Sequence, residues 1–178
     1  MNWICVFFVL ASVTPFAAAQ SKAAVKQTDP ACGPSHAKFL VKTQTGPHPV
    51  PMKPGTAVVY VIEEIRKPAN QLLGGPTIRI GMDGHWMGAG HGNSYLFFPA
   101  DAGEHHVCAN WQSVLKRFSK LTSLNDFNAQ PGHTYYFRAR VVVTGAQGPI
   151  TLDLEPTNAD EAGRLISKYP YAASTAKR

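Results

Sequence analysis

The stretch from Thr77 to Trp111 constrains the fold more than any other part of the chain. Ile78, Ile80 and Met82 alternate with Thr77, Arg79 and Gly81, the period-two pattern of a half-buried strand. Asp83-Gly84 follows at once, a dipeptide suited to a two-residue hairpin turn that needs positive φ. His85-Trp86-Met87 then reads as the returning strand. Gly88, Gly90 and Gly92 break the regularity, Tyr95–Phe98 reads as another short strand, and Pro99–Gly103 as a turn. On the next strand, Glu104–Trp111, the residues His105, Val107, Ala109 and Trp111 face one side. His106, Cys108 and Asn110 face the other.

The rest of the chain agrees with a β-rich reading. Thr56–Ile65 contains Ala-Val-Val-Tyr-Val-Ile, apolar on both faces, and is expected to be a central strand. Phe39 and Val41 alternate within Lys38–Thr43, a short candidate strand. Pro47, Pro49, Pro51 and Pro54 make the following segment an extended loop or an edge, and Arg66–Pro76 is a loop. Val114, Leu115, Phe118 and Leu121 fit a helical stripe opposite Lys116, Arg117 and Lys120, although the segment could equally be an insertion over a sheet edge. Thr122–Ala129 is a further candidate strand. His133–Thr144 is a long strand with Tyr135, Phe137, Ala139, Val141 and Val143 on its apolar face. Pro149–Glu155 returns beside it, which places Arg138 or Arg140 across from Asp153 or Glu155. Asn158–Lys168 is the one good helix: Asn158 caps it, Asp160 and Glu161 suit its first turn, and Pro170 stops it.

The expected fold is therefore an all-β antiparallel sandwich, prealbumin-like or immunoglobulin-like, of about seven to eight strands with one short C-terminal helix. Residues 38–169 form its single domain. Residues 1–19 read as a secretory signal peptide, with an apolar run from Trp3 and the small residues Ala17-Ala18-Ala19 ahead of Gln20. Residues 20–37 read as a flexible arm carrying Cys32, and residues 170–178 as a disordered tail. No other apolar stretch is long enough to span a membrane. After cleavage Cys32 and Cys108 remain, and an even count in an oxidising compartment predicts a disulfide between them. The formal net charge of +6 is scattered along the chain, which suits a solvated surface. With export it argues against a nucleic-acid partner and leaves room for weak attraction to anionic glycan or lipid headgroups.

These motifs resemble those of the uncharacterised bacterial family 2846, a domain of unknown function. The similarity covers Thr56–Tyr169. It rests on a hairpin motif (Ile78, Ile80, Asp83, Gly84, Gly88), a turn and strand (Pro99, Gly103, His105) and a later strand (Gly132, Tyr135, Tyr136, Arg138). The resemblance implies an exported or lipid-anchored β-rich domain with no established activity. The hairpin also looks like carbohydrate-associated surface repeats of prealbumin-like type, a likeness of fold alone. The arm with Cys32, the 113–124 segment and the Cys108 strand depart from the family pattern.

No motif points to catalysis. There is no G-x-S-x-G elbow, and Gly88–Gly92 lacks the lysine and the strand-to-helix setting of a phosphate loop. Asp83 and Asp101 fit turn positions rather than a catalytic pair. The reading is a non-enzymatic, periplasmic or extracellular module without a cofactor, structural or binding an envelope glycan, peptide or protein. Candidate ligand residues are His85, Trp86, His91, Asn93 and Tyr95. The alternative is a metal-binding or metalloenzyme domain using His85, His91 and His105, although neighbouring His105 and His106 cannot face one ion. Self-association through an exposed edge strand is a further expectation.

Overall fold

The Asp83-Gly84 turn forms as expected, with φ of 51° and 82° at its two central residues. It joins two of ten strands in a computed structural model that describes residues 31–46, 48, 50, 53–65, 75–144 and 148–177. The expected signal peptide, the arm before Ala31, the first three prolines of the 44–54 segment and most of the Arg66–Pro76 loop lie outside the described residues.

In chain order the elements are β1 (Phe39–Gln44), β2 (Ala57–Ile65), β3 (Thr77–Met82), β4 (His85–His91), β5 (Ser94–Ala100) and β6 (Gly103–Gln112). There follow α1 (Lys116–Ser119), β7 (Thr122–Ala129), β8 (Thr134–Val143), β9 (Ile150–Pro156), α2 (Ala159–Ile166) and β10 (Tyr171–Ala176). A six-stranded sheet runs β1-β10-β5-β2-β8-β9 and a four-stranded sheet β4-β3-β6-β7. The two form an all-β sandwich. Most neighbours are antiparallel. The exceptions are β2 with β8, in register from Val58↔Thr134 to Ile65↔Val141, and the single pair Tyr171↔Tyr95 between β10 and β5.

The core lies between the sheets. Val59, Val61 and Ile65 from β2 meet Ile78 and Ile80 from β3, Val107, Ala109 and Trp111 from β6, and Phe137, Ala139 and Val141 from β8. Burying each larger aliphatic side chain is worth about 1.5–3 kcal/mol. The opposite face of β2 is also covered. There Ile62 packs with Tyr95, Ala162 and Leu165 under α2, ringed by Tyr60, Tyr136 and Tyr171. Burial on both faces explains why β2 reads as a continuous apolar run instead of an alternation. The Asn158 side chain accepts from the Glu161 amide at 2.8 Å, the expected N-cap. Arg140 pairs with Glu155 at 2.6 Å, as expected, whereas Arg138 turns to Glu161 at 3.3 Å.

Two expectations are corrected. The segment after Pro170 is not a disordered tail: β10 pairs antiparallel with β1 over Phe39↔Ala176 to Gln44↔Tyr171. Its small residues carry no strand-like pattern, and its order comes from partners distant in sequence. Ala172 is buried, and Ser174 Oγ accepts from the Ala89 amide at 3.1 Å, satisfying an edge group of β4. The 113–124 segment does not form a helix with an apolar stripe either. It holds a single turn, α1, in which Phe118 is buried against Trp111, while Val114 is 89% and Leu115 51% exposed. One turn is too short to bury a stripe.

Side chains also bridge the other flank of the sandwich. Ser123 Oγ on β7 accepts from the Leu154 amide of β9 at 2.9 Å, and Asn125 Nδ2 donates to the Leu154 carbonyl at 3.4 Å. Edge groups of β7 and β9 thus find partners across the two sheets.

Candidate functional site

The parity of β6 decides what happens on the outer face of the smaller sheet. Val107, Ala109 and Trp111 point into the core, so Cys108 and Asn110 point out. Cys108 is bonded to Cys32, with Cα atoms 5.4 Å apart, so residues 31–37 must lie across that outer face. Glycines permit the close approach. A Cβ at Gly81 would stand 2.8 Å from the Ala31 carbonyl oxygen, and one at Gly33 would stand 2.5 Å from the Trp86 ring.

Arg79 sits beneath this segment, 5% exposed. Its Nη1 donates to the Ser35 carbonyl at 3.0 Å and the Ala37 carbonyl at 2.6 Å. Its Nε donates to Asn110 Oδ1 at 3.1 Å, and Nη2 reaches the same oxygen. The guanidinium lies 4.4 Å from the centre of the Trp86 ring, and Trp86 Nε1 donates to the Pro34 carbonyl at 2.9 Å. Asn110 continues the network: its Nδ2 donates to the Ser119 and Leu121 carbonyls and to Thr122 Oγ1, at 3.1, 3.2 and 3.0 Å. Burial lowers the pKa of Arg79, but guanidinium titrates so far above neutrality that the group remains a cation. Among the described residues each of its hydrogen-bond partners is neutral.

A cleft of about 340 Å³ opens between this segment and the start of β7. It is lined by Ser35, Arg79, Trp86, Asn110, Lys120 and Thr122, together with the Cys32 and Gly33 edge and Ser119. Among the described residues, two cations, an indole, an amide and several hydroxyls face it, and no carboxylate, histidine or free thiol. That set can bind an anion or a hydroxyl-rich ligand. It offers no proton-transfer pair and no activated nucleophile.

The residues singled out from the sequence are not gathered in one place. Of the candidate ligand residues His85, Trp86, His91, Asn93 and Tyr95, Trp86 alone lines the cleft. His85 and His91 stand at opposite ends of β4, and six residue steps of about 3.3 Å put roughly 20 Å between them. His105 lies at the His85 end, so the proposed set of His85, His91 and His105 cannot share one ion. The described residues contain no cluster of three or more metal-ligating side chains. His91 Nδ1 lies 3.0 Å from Thr77 Oγ1, and Asn93 Oδ1 accepts from the Ile65 amide at 2.7 Å. Tyr95 is 6% exposed in the aromatic layer beneath α2. Asn93 and Tyr95 therefore do structural work.

Sequence reasoning missed Arg79, Asn110 and Lys120. One signal was present: the expected disulfide, combined with the alternation of β6, lays the arm over the face that carries Asn110. Nothing in the sequence gives the Arg79↔Asn110 register that completes the network.

Two titratable groups stand apart from the cleft. Asp83 Oδ2 lies 2.6 Å from His105 Nδ1, and Asp83 Oδ1 accepts from the His106 amide at 2.9 Å. Burial works to raise the Asp83 pKa, but the His106 amide and His105 outweigh it and hold the acid below its ordinary range. Glu63 on β2 faces the core, 2% exposed, between Gly90 and Ser94. Neither carboxyl oxygen has a hydrogen-bond partner among the described residues, and burial pushes its pKa well above the usual carboxyl range. It lines neither the Arg79 cleft nor the cleft beside α1.

No family model, curated protein or solved structure matches the chain.

Proposed function

We propose that the protein is an exported, non-enzymatic β-sandwich module of the cell envelope that binds an acidic glycan in the Arg79–Trp86 cleft. The observation that carries this reading is the buried Arg79 cation, surrounded by neutral acceptors, beside an indole and Lys120. An uncompensated cation next to an aromatic face favours a ligand that brings both negative charge and a sugar surface. Export is part of the proposal. The disulfide and the N-terminal apolar run support it. No enzymatic activity is proposed, because the side chains that line the cleft include no paired acid and base and no hydroxyl set beside a base that would activate it.

The test is a titration of the disulfide-bonded protein with polygalacturonate and with neutral dextran, followed by Trp fluorescence. Binding of the acidic polymer, lost on Lys120→Glu and absent for dextran, supports the reading. Equal response to both polymers, or none to either, overturns it. N-terminal sequencing of the protein recovered from a periplasmic fraction tests export, with Gln20 expected as the first residue.

A further inference from the structure

We propose that the excursion at residues 113–121, between β6 and β7, seats on an anionic lipid bilayer, with Val114 and Leu115 entering the headgroup layer. At 89% exposed, Val114 is the most exposed large apolar side chain among the described residues, and its neighbour Leu115 is 51% exposed. Two adjacent aliphatic side chains held in water are unfavourable unless something covers them.

Their outward direction is built into the fold. Phe118 stacks on Trp111, ring centres 4.6 Å apart, and anchors the excursion to the core. The amides of Phe118 and Ser119 donate to the Leu115 carbonyl at 3.0 and 3.1 Å, and that of Leu121 donates to the Phe118 carbonyl at 2.9 Å. Asn110 holds the Ser119 and Leu121 carbonyls from below. The single turn is therefore tied at its base, and the tip is presented ready-formed.

Charge identifies the occupant. From Gln112 to Asn125 the chain contains Lys116, Arg117 and Lys120 and no Asp or Glu. The cleft on one side is lined by Arg79 and Lys120, the cleft on the other by Arg117, Pro149 and Ile150, and among the described residues neither has a carboxylate. The Gln112 side chain bridges both backbone groups of Phe39, which brings Lys38 to the same end of the molecule. Two aliphatic side chains are far smaller than the roughly 800 Å² per partner of a stable protein interface. They suit shallow insertion of an apolar tip ringed by cations among anionic headgroups. The inference shares Arg79 and Lys120 with the glycan cleft, but the apolar tip that carries it, Val114 and Leu115, does not line that cleft.

The experiment is co-sedimentation of the disulfide-bonded protein with phosphatidylcholine vesicles and with vesicles containing phosphatidylglycerol. The expected result is binding to the anionic vesicles that weakens with added salt, each cation contributing about five-fold. The double variant Val114→Ser/Leu115→Ser should reduce that binding about ten-fold with little change in melting temperature, since both side chains are mostly exposed and neither belongs to the buried core. Absence of binding to anionic vesicles overturns the proposal. So does binding that the double variant leaves intact, or equal binding to soluble polyglutamate, because either would reduce the surface to charge alone.

Discussion

His105 donates from Nδ1 to Asp83 Oδ2 at 2.6 Å while its Nε2 lies 2.8 Å from the Asp101 carbonyl oxygen. The Asp101 carbonyl and an ionised Asp83 can only accept, so the two contacts together favour the form of His105 with protons on both ring nitrogens. Burial pulls the His105 pKa down, but the Asp83 carboxylate and the Asp101 carbonyl outweigh it and raise it above the ordinary histidine value. The pair fastens the β3–β4 turn to the start of β6.

The sign of the pH dependence follows. A histidine with a raised folded pKa contributes fully below its unfolded value of about 6.5 and loses that contribution as pH rises through the higher folded value. Asp83, lowered in the fold, contributes above about pH 3.9 and loses its share as pH falls below that value. Asp83 is 40% exposed, so solvent screening limits the pair to about 1 kcal/mol. His105→Gln should lower the urea midpoint in mildly acidic buffer and bring it close to wild type in alkaline buffer. His85→Gln at the exposed end of β4 should change neither. An equal loss at both pH values for His105→Gln would count against the clasp.

Glu63, within the core, carries a dependence of the same sign as His105 and opposite to that of Asp83. Its raised pKa means that the folded state holds a proton the unfolded state releases, so stability falls as pH rises from about 4.3 toward the folded value. Glu63→Gln keeps the shape and removes the titration. The variant should gain on the order of 1–3 kcal/mol near pH 8 and little near pH 4. Chemical denaturation at the two pH values measures it, and a variant less stable than wild type near pH 8 would show that the ionised carboxylate is in fact compensated.

The disulfide lays the 31–37 segment on the sheet, so its loss should be felt at Trp86. Replacing Cys32 and Cys108 by Ser removes a cross-link between positions 76 residues apart, worth on the order of 4 kcal/mol in the chain-entropy model. With the segment released, the indole loses the Pro34 carbonyl and gains water. Thermal unfolding should begin lower, and the folded protein's Trp emission should shift to the red. Unchanged emission in the double Ser variant would mean that Arg79 alone keeps the segment in place.

What could be read from the residues were the features set by neighbours in sequence. Asp83-Gly84 dictates its turn from two positions, and Asn158 with Glu161 dictates a cap from four. The apolar run of β2 gave its central place. Features set by distant partners were hidden. Ala172–Ala176 is a strand because β1 and Ala89 supply its partners, and nothing in its small residues announces that. Tyr95 looked like a candidate ligand residue, although it is buried against α2, more than sixty residues later. The histidines looked like a group because they cluster in sequence, yet a strand sends residues six positions apart to its two ends. Arg79 looked like an ordinary outward residue, and its burial follows from a segment that a disulfide brings from another part of the chain.

Arg79 both holds the 31–37 segment and lines the cleft with positive charge, and one substitution separates the two. Lys keeps the positive charge but lacks the planar fork that reaches Asn110 Oδ1 and two carbonyls together. In Arg79→Lys the Ser35 and Ala37 carbonyls and Asn110 cannot all keep their donor, a loss of roughly 1–3 kcal/mol. Hydrogen exchange at residues 35–38 should speed up, with the disulfide still confining the segment at Cys32. The cleft keeps both cations, so acidic-polymer binding should weaken far less than in Arg79→Met, which removes the charge. If Arg79→Lys and Arg79→Met lose binding equally, the cleft is made by the geometry of the segment and the charge argument for an acidic ligand falls. If neither changes exchange at residues 35–38, the disulfide alone holds the segment and the guanidinium fork is not its clamp.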